Sequence, residues 1–159
     1  MRNYLQIGAA AIALTVVLGL GAAATMAAED LAAVVKERQG AMKQQSDALK
    51  VIKAYLDGNG AQADAVAKAQ ELVTISGKLP SVWPAGTSSK DMPGKSKAKP
   101  EIWQDMTKFN GIVATVKTAD QTLLDALQKG DKAAASTAFG DLGKNGCGAC
   151  HGTFREKET

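Results

Sequence analysis

Residues 30–57 read DLAAVVKERQGAMKQQSDALKVIKAYLD and contain no proline. Val35, Arg38, Met42, Gln45, Leu49, Ile52 and Leu56 recur there at alternating steps of three and four. That spacing sets all of them on one stripe of a long α-helix. Gly58-Asn59-Gly60 ends the helix. The stripe is apolar except where Arg38 and Gln45 flank Met42. A polar break in an otherwise apolar seam points to something polar, or to a bound group, on the facing side.

Three further segments follow the same rule. A second helix is expected from Ala61 or Gln62 to Lys78, with Val66, Ala69, Val73 and Ser76 on its stripe, Leu72 and Leu79 beside it, and Pro80 closing it. A third opens after Pro100, with Glu101 in its first turn, and runs to Gly130. Ile102, Met106, Phe109, Val113, Val116, Leu123 and Leu127 form its stripe, and Asp120 is a polar break within it. Asp131 is the N-cap expected for a fourth helix passing through Ala135, Phe139 and Leu142. Residues 80–100 hold every proline of the chain. An irregular connection of that length needs a reason, such as wrapping from one end of a bundle to the other. No strand pattern is found. The fold class read from these segments is all-α, an antiparallel four-helix bundle with a long loop between helices 2 and 3.

Ahead of this domain lies a different composition. Residues 1–28 carry one charge, Arg2, then an Ala- and Leu-rich apolar run and a small-residue zone ahead of Glu29 and Asp30. The order matches a secretory leader cut after Ala27 or Ala28, with an uncleaved membrane anchor as the alternative. The mature domain is then 29–159, outside the cytoplasm. The chain is 159 residues long with a formal charge of +3, too small and scattered an excess for a nucleic-acid binder. Two cysteines exclude a disulfide-dense scaffold, and one histidine excludes any mechanism needing two.

Those two cysteines and that histidine lie together as Cys147-Gly148-Ala149-Cys150-His151. Cys-x-x-Cys-His is the attachment pattern of c-type haem. The thiols of Cys147 and Cys150 add across the two vinyl groups as thioethers, and the adjacent His151 imidazole is the proximal iron ligand. Zinc would require a fourth ligand that the sequence lacks. A redox dithiol normally sits in a βαβ setting, and a structural disulfide leaves the histidine unexplained. One covalent haem c is therefore the cofactor expected. Gly140, Gly143, Gly146, Gly148 and Gly152 crowd the same stretch. They would let a flat macrocycle approach the backbone, or else mark a loop. With His151 on iron no nucleophile–histidine pair is left, so hydrolytic and group-transfer enzymes are not indicated.

For the other side of the iron the residue choices are methionine, lysine or none. Met42 is the candidate to line the haem and a possible distal ligand; spacing alone leaves open whether its sulfur reaches iron. Arg38 is a candidate partner for a propionate, or a side chain snorkelling to water. Arg155, four residues beyond His151, faces the same choice, and Phe154 is expected beside the ring.

Arg38-Gln39-Gly40-Ala41-Met42, Trp83-Pro84-Ala85-Gly86-Thr87-Ser88-Ser89, Pro100-Glu101-Ile102-Trp103 and the C-terminal Cys147 to Arg155 together resemble the class II c-type cytochromes, the cytochrome c′ family in particular. The resemblance covers essentially the whole mature chain. It implies an antiparallel four-helix bundle, His151 as proximal ligand, Cys147 and Cys150 as thioethers, a periplasmic setting and, in many members, a homodimer. High-spin members leave the sixth site open to NO or CO, whereas low-spin relatives ligate iron by a methionine at the position matching Met42. The resemblance of the proline-rich loop favours the high-spin type. The expected role is single-electron transfer with redox proteins as partners. NO or CO binding, a low-spin methionine-ligated carrier and a haem-free structural bundle are the alternatives.

Overall fold

The computed structural model describes residues 20–157, with side chains from Asp30 onward. Helix α1 spans Leu20–Leu56 and α2 spans Gln62–Lys78. After the long loop come the short α3, Glu101–Gln104, and then α4, Met106–Gln128. The C-terminal rod begins with α5, Lys132–Asp141, continues through a π-helical turn, Leu142–Gly148, and finishes with α6, Ala149–Phe154. Gly58 and Gly130 take φ of +88° and +70° at the α1–α2 and α4–α5 turns, a backbone that side chains disfavour. Short turns of this kind set neighbouring helices antiparallel, and the four rods form the expected all-α bundle.

The start of α1 at Leu20 lies ahead of the expected leader cut. Most of the leader, residues 1–19, falls outside the described residues. No described helix is long and apolar enough to cross a membrane.

Three expectations need correction. The third helix is not continuous, because Asp105 leaves helical geometry at φ −134° and ψ 65° and its carboxylate accepts from the Lys108 amide. An aspartate competes with the helix for its own backbone and starts a new one. In α2 the buried face is Ala65, Ala69, Leu72, Ile75 and Ser76. Val66 and Val73 stand at its half-buried margin. Small alanines are chosen at the centre because α2 packs closely on both α1 and α4. Finally, the glycine-rich stretch is helical throughout and not a loop, and Gly146 and Gly148 are close-packed against protein atoms. A Cβ at Gly146 would lie 3.0 Å from Val116 Cγ2, so this glycine permits helix–helix packing against α4, while Gly140, Gly143 and Gly152 have nothing within 4 Å.

Asp131 caps the fourth rod as expected, accepting from the Ala134 amide. The core is aliphatic, with Ile52, Leu72, Ile102, Leu123, Leu127 and Leu142 fully buried. Three rings lead through it toward the C-terminus. Trp83 meets Phe109 edge-on at 4.8 Å, and Phe109 meets Phe154 at 5.4 Å.

One core position is acidic. Asp120 is 1% exposed, and neither carboxylate oxygen has a hydrogen-bond partner. Burial pushes its carboxyl up to about 6; the Ser76 side chain of α2 lies near enough to oppose this in part, but its hydroxyl is given to Val73 O. The folded chain thus holds a proton on Asp120 at pH values where the unfolded chain has lost it. Stability should be highest below about pH 4, fall as pH rises toward about 6, and level off above. Urea unfolding at pH 4.5 and pH 7.5 should show that loss in the native sequence. Asp120→Asn should remove the step and gain about 2 kcal/mol at the higher pH; equal slopes in both proteins would contradict the assignment.

Candidate functional site

Among the described residues, a cavity of about 1310 Å³ opens between α1, α4, the C-terminal rod and the long loop. That exceeds the usual volume of about 300–1,000 Å³ for small-molecule sites. Arg38, Met42, Cys147, Cys150, His151, Phe154 and Arg155, drawn from the two ends of the chain, all line it.

The cysteine–histidine cluster is delivered by the C-terminal rod. Cys147 lies in the π-helical turn and Cys150 and His151 in α6. Steps of three and four keep them on one side of a helix. Both thiols are half-buried. Burial, with Cys147 nearby, pushes the Cys150 thiol up to about 11; burial and the Asp120 carboxylate push Cys147 up as well. A reactive redox dithiol has a depressed thiol pKa, so these thiols have the opposite character. Among the described residues no group of three His, Cys, Asp or Glu is placed to hold a metal ion, which leaves the zinc reading without a ligand set. His151 sits at the cavity edge, exposed as a residue. Burial of its ring and the charge of Arg155 push its pKa down, which favours the neutral imidazole that metal ligation requires.

Arg38 has a role beyond the one read from the sequence. It is 4% exposed and does not snorkel. Its Nη1 donates to Val82 O at 3.4 Å and Thr87 Oγ1 at 3.3 Å, and its Nη2 to Thr87 O at 3.1 Å and Ser96 Oγ at 3.0 Å. The guanidinium also lies 4.4 Å over the Trp83 ring. Burial pushes its pKa down to about 10, so it stays cationic at neutral pH. Arg38 therefore ties α1 to the long loop and borders the cavity at the same time.

The other end of that loop is fixed by the chain terminus. Lys99 N donates to Phe154 O at 2.9 Å and Glu156 N to Lys97 O at 2.8 Å. Arg155 lies past the end of α6 in extended backbone, bridged to Ala98. It thus reaches the cavity from an extended segment, and the helical-face argument made for it from sequence does not apply. Phe154 is 3% exposed, packs on Phe109 and lines the cavity wall.

Two wall residues escaped the sequence reading as site residues. Gln45 Nε2 and Trp83 Nε1 are buried donors with no partner, and both residues line the cavity. Each unsatisfied donor costs about 1–3 kcal/mol, so both fit an occupant that carries acceptors. Ile112, Val113, Val116 and Phe139 supply apolar wall. Paired thiols, a neutral imidazole, apolar walls and unmet donors suit a flat porphyrin with carboxylate arms. Gln45 was visible as a break in the α1 stripe; nothing in the local sequence marks Trp83 as facing a cavity.

The cytochrome c′ family model matches residues 33–155, spanning α1 to Arg155. The chain belongs to the cytochrome c′ family. The cytochrome c′ of Rhodopseudomonas palustris is 33% identical over 153 residues, covering 94% of this chain and 97% of that protein. A solved cytochrome c′ with ligand-controlled dimer dissociation superposes with a TM-score of 0.74 at 28% identity, covering 80% of this chain and 97% of that one. A ferrous variant of the cytochrome c′ of Alcaligenes xylosoxidans with bound NO gives 0.69 at 27% identity, covering 79% and 94%. This is a family of haem proteins, usually periplasmic, and the Cys147–Cys150 pair fits its attachment motif.

Arg38→Ala should cost about 3 kcal/mol, because it removes four bonds that join α1 to the loop, leaves Val82 O without that donor and opens a gap over Trp83. A lower urea midpoint together with red-shifted tryptophan emission would register it. Arg38→Lys should recover only part of the loss, since an ammonium cannot span four acceptors in one plane.

Proposed function

We propose that the mature chain, residues 29–159, is a periplasmic single-electron carrier of the high-spin type, exported by a leader cut after Ala27 or Ala28. The observation that carries this reading is that Cys147, Cys150 and His151, on one side of one rod, line the same cavity as Met42 of α1. A haem held here supplies a one-electron couple between ferric and ferrous iron. Cys147 and Cys150 would hold the ring as thioethers, and the neutral His151 imidazole would ligate the iron. Phe154, Ile112, Val116 and Phe139 exclude water along the walls. Low-dielectric surroundings of that kind disfavour extra charge on the metal and help set its potential. Arg155 stands at the cavity as a cationic partner for a propionate, and Gln45 and Trp83 offer donors to oxygen acceptors. Arg38 is the other cation of the wall, with both NH2 groups already given to the loop.

Protein matured in a host with haem-attachment machinery should weigh one haem more than the polypeptide from residue 28 or 29 onward. The double variant Cys147→Ala, Cys150→Ala should weigh only its amino acids. An unmodified mass for the native sequence would defeat the reading.

A second reading is binding of NO or CO at an open sixth site, favoured by the structural neighbour with bound NO. Its ferrous spectrum and that of the electron carrier proposed here should both be broad and high-spin. Met42→Ala should leave such a spectrum largely unchanged. Sharp split bands that collapse to high-spin on the same substitution would instead make Met42 a ligand and the protein a low-spin carrier. A homodimer is also proposed, on the strength of the relative whose dimer dissociates under ligand control.

A further inference from the structure

The charge of the chain is gathered around the cavity mouth. Eight basic side chains line the cavity against one acidic residue, Glu156. The whole chain carries a formal charge of only +3, so the rest of it is net acidic. Six of the eight are the lysines Lys43, Lys50 and Lys53 of α1 and Lys90, Lys95 and Lys97 of the loop, each exposed while lining the cavity. They therefore stand on its rim.

Local pairing does not cancel this field. Asp47 sits between Lys43 and Lys50 at 2.6 and 2.9 Å, and Asp57 takes Lys53 at 2.7 Å. Those lysine side chains nevertheless stay 78%, 72% and 60% exposed. Counting Glu156 and both aspartates against the eight cations still leaves a positive rim, and two carboxylate arms of a cavity occupant would not reverse it. A basic ring around a low-dielectric cavity on an otherwise acidic body makes a dipole that orients an approaching anion toward the cavity.

We propose that this rim is the docking face for an acidic patch on a protein that exchanges electrons with the chain; the inference rests on the haem reading above. Charge complementarity selects the occupant. The exposed rim is mostly lysine, with Gln39, Ser46, Gly94, His151 and Glu156, and Pro93 is its one exposed apolar side chain. A membrane-docking surface needs an apolar face to bury in the lipid, which is missing here. The interaction expected is brief and salt-sensitive, its specificity residing in the association rate.

The test uses the haem-loaded, reduced protein and two single-electron oxidants of opposite charge. One electron passes from ferrous haem to hexacyanoferrate(III), giving ferric haem and hexacyanoferrate(II). The same electron passes to hexaammineruthenium(III), giving the ruthenium(II) ion. The rate with the anion should fall as salt rises, and the rate with the cation should rise. In the opposite direction, an acidic flavodoxin in its hydroquinone form passes one electron to the ferric protein, giving flavodoxin semiquinone and ferrous haem, and the salt dependence of that rate should follow the anion's. Lys90→Glu with Lys95→Glu should slow the flavodoxin reaction about tenfold at low ionic strength. Lys117→Glu with Lys129→Glu, the same change of net charge away from the cavity, should leave it within about twofold.

Equal slowing by both pairs would make net charge the cause and overturn the proposal. So would rates independent of salt. Sedimentation with phosphatidylglycerol vesicles at physiological salt, without a salt effect on the flavodoxin reaction, would assign the rim to a membrane instead. A protein without haem has no haem band to change with either oxidant, and that failure belongs to the haem reading.

Discussion

A single buried cation organises the cavity side of this bundle. Arg38 stands on α1 at a position where the helix stripe calls for an apolar side chain, and it is sealed from water. A guanidinium can be sealed only if its donors are met. The acceptors come from Val82, Thr87 and Ser96, three points on one loop. The loop is therefore held by the need to solvate Arg38, and Arg38 is tolerated because the loop encloses it. Trp83 is fixed beneath the cation, and the Trp103 indole donates to Trp83 O at 3.1 Å. Without this clasp the proline-rich segment would rest on the pairing of residues 97–99 with the C-terminus and on scattered single bonds, such as Gln39 Nε2 to Lys95 O and Ser89 Oγ to Glu156.

That mutual dependence explains what the sequence did and did not disclose. Helix existence was legible because periodicity is local; α1, α2 and the capping of α5 by Asp131 all follow from residues within a few turns. The Cys-x-x-Cys-His cluster was legible because the chemistry demands adjacency. The break at Asp105 was hidden, since the apolar stripe continues across it from Ile102 to Phe109. Arg38 stood out as an oddity in its stripe, but its partners lie more than forty residues away. Long-range acceptors leave no local mark. The same holds for Gln45 and Trp83, whose unmet donors become visible only once a cavity is seen around them.

The buried polar atoms also separate into two kinds. Those of Gln45 and Trp83 face space that an acceptor-bearing group can enter. Those of Asp120 do not line the cavity, and Ser76 is the side chain that moderates them. The first pair is destabilising only until the cavity is filled, whereas Asp120 burdens the fold at neutral pH in either state. Its influence on Cys147 places this burden next to the attachment segment. A carboxylate that raises a neighbouring thiol's pKa keeps that thiol protonated, hence quiet toward oxidants, until chemistry is brought to it.

The π-helical turn at Leu142–Gly148 completes the geometry. Its widened spacing shows at Ala149, whose amide points to Lys144 O five residues back as well as to Gly146 O. A wider turn advances the register of everything that follows relative to an unbroken α-helix. Leu142 can then face the core, Gly146 can touch Val116 of α4, and Cys147, Cys150 and His151 can still line the cavity from the same rod. Glycine makes this turn affordable in steric terms, since a Cβ at Gly148 would stand 3.1 Å from Gly143 O. Gly146 and Gly148 are thus the means by which one helix serves two partners, a neighbouring helix and a cavity.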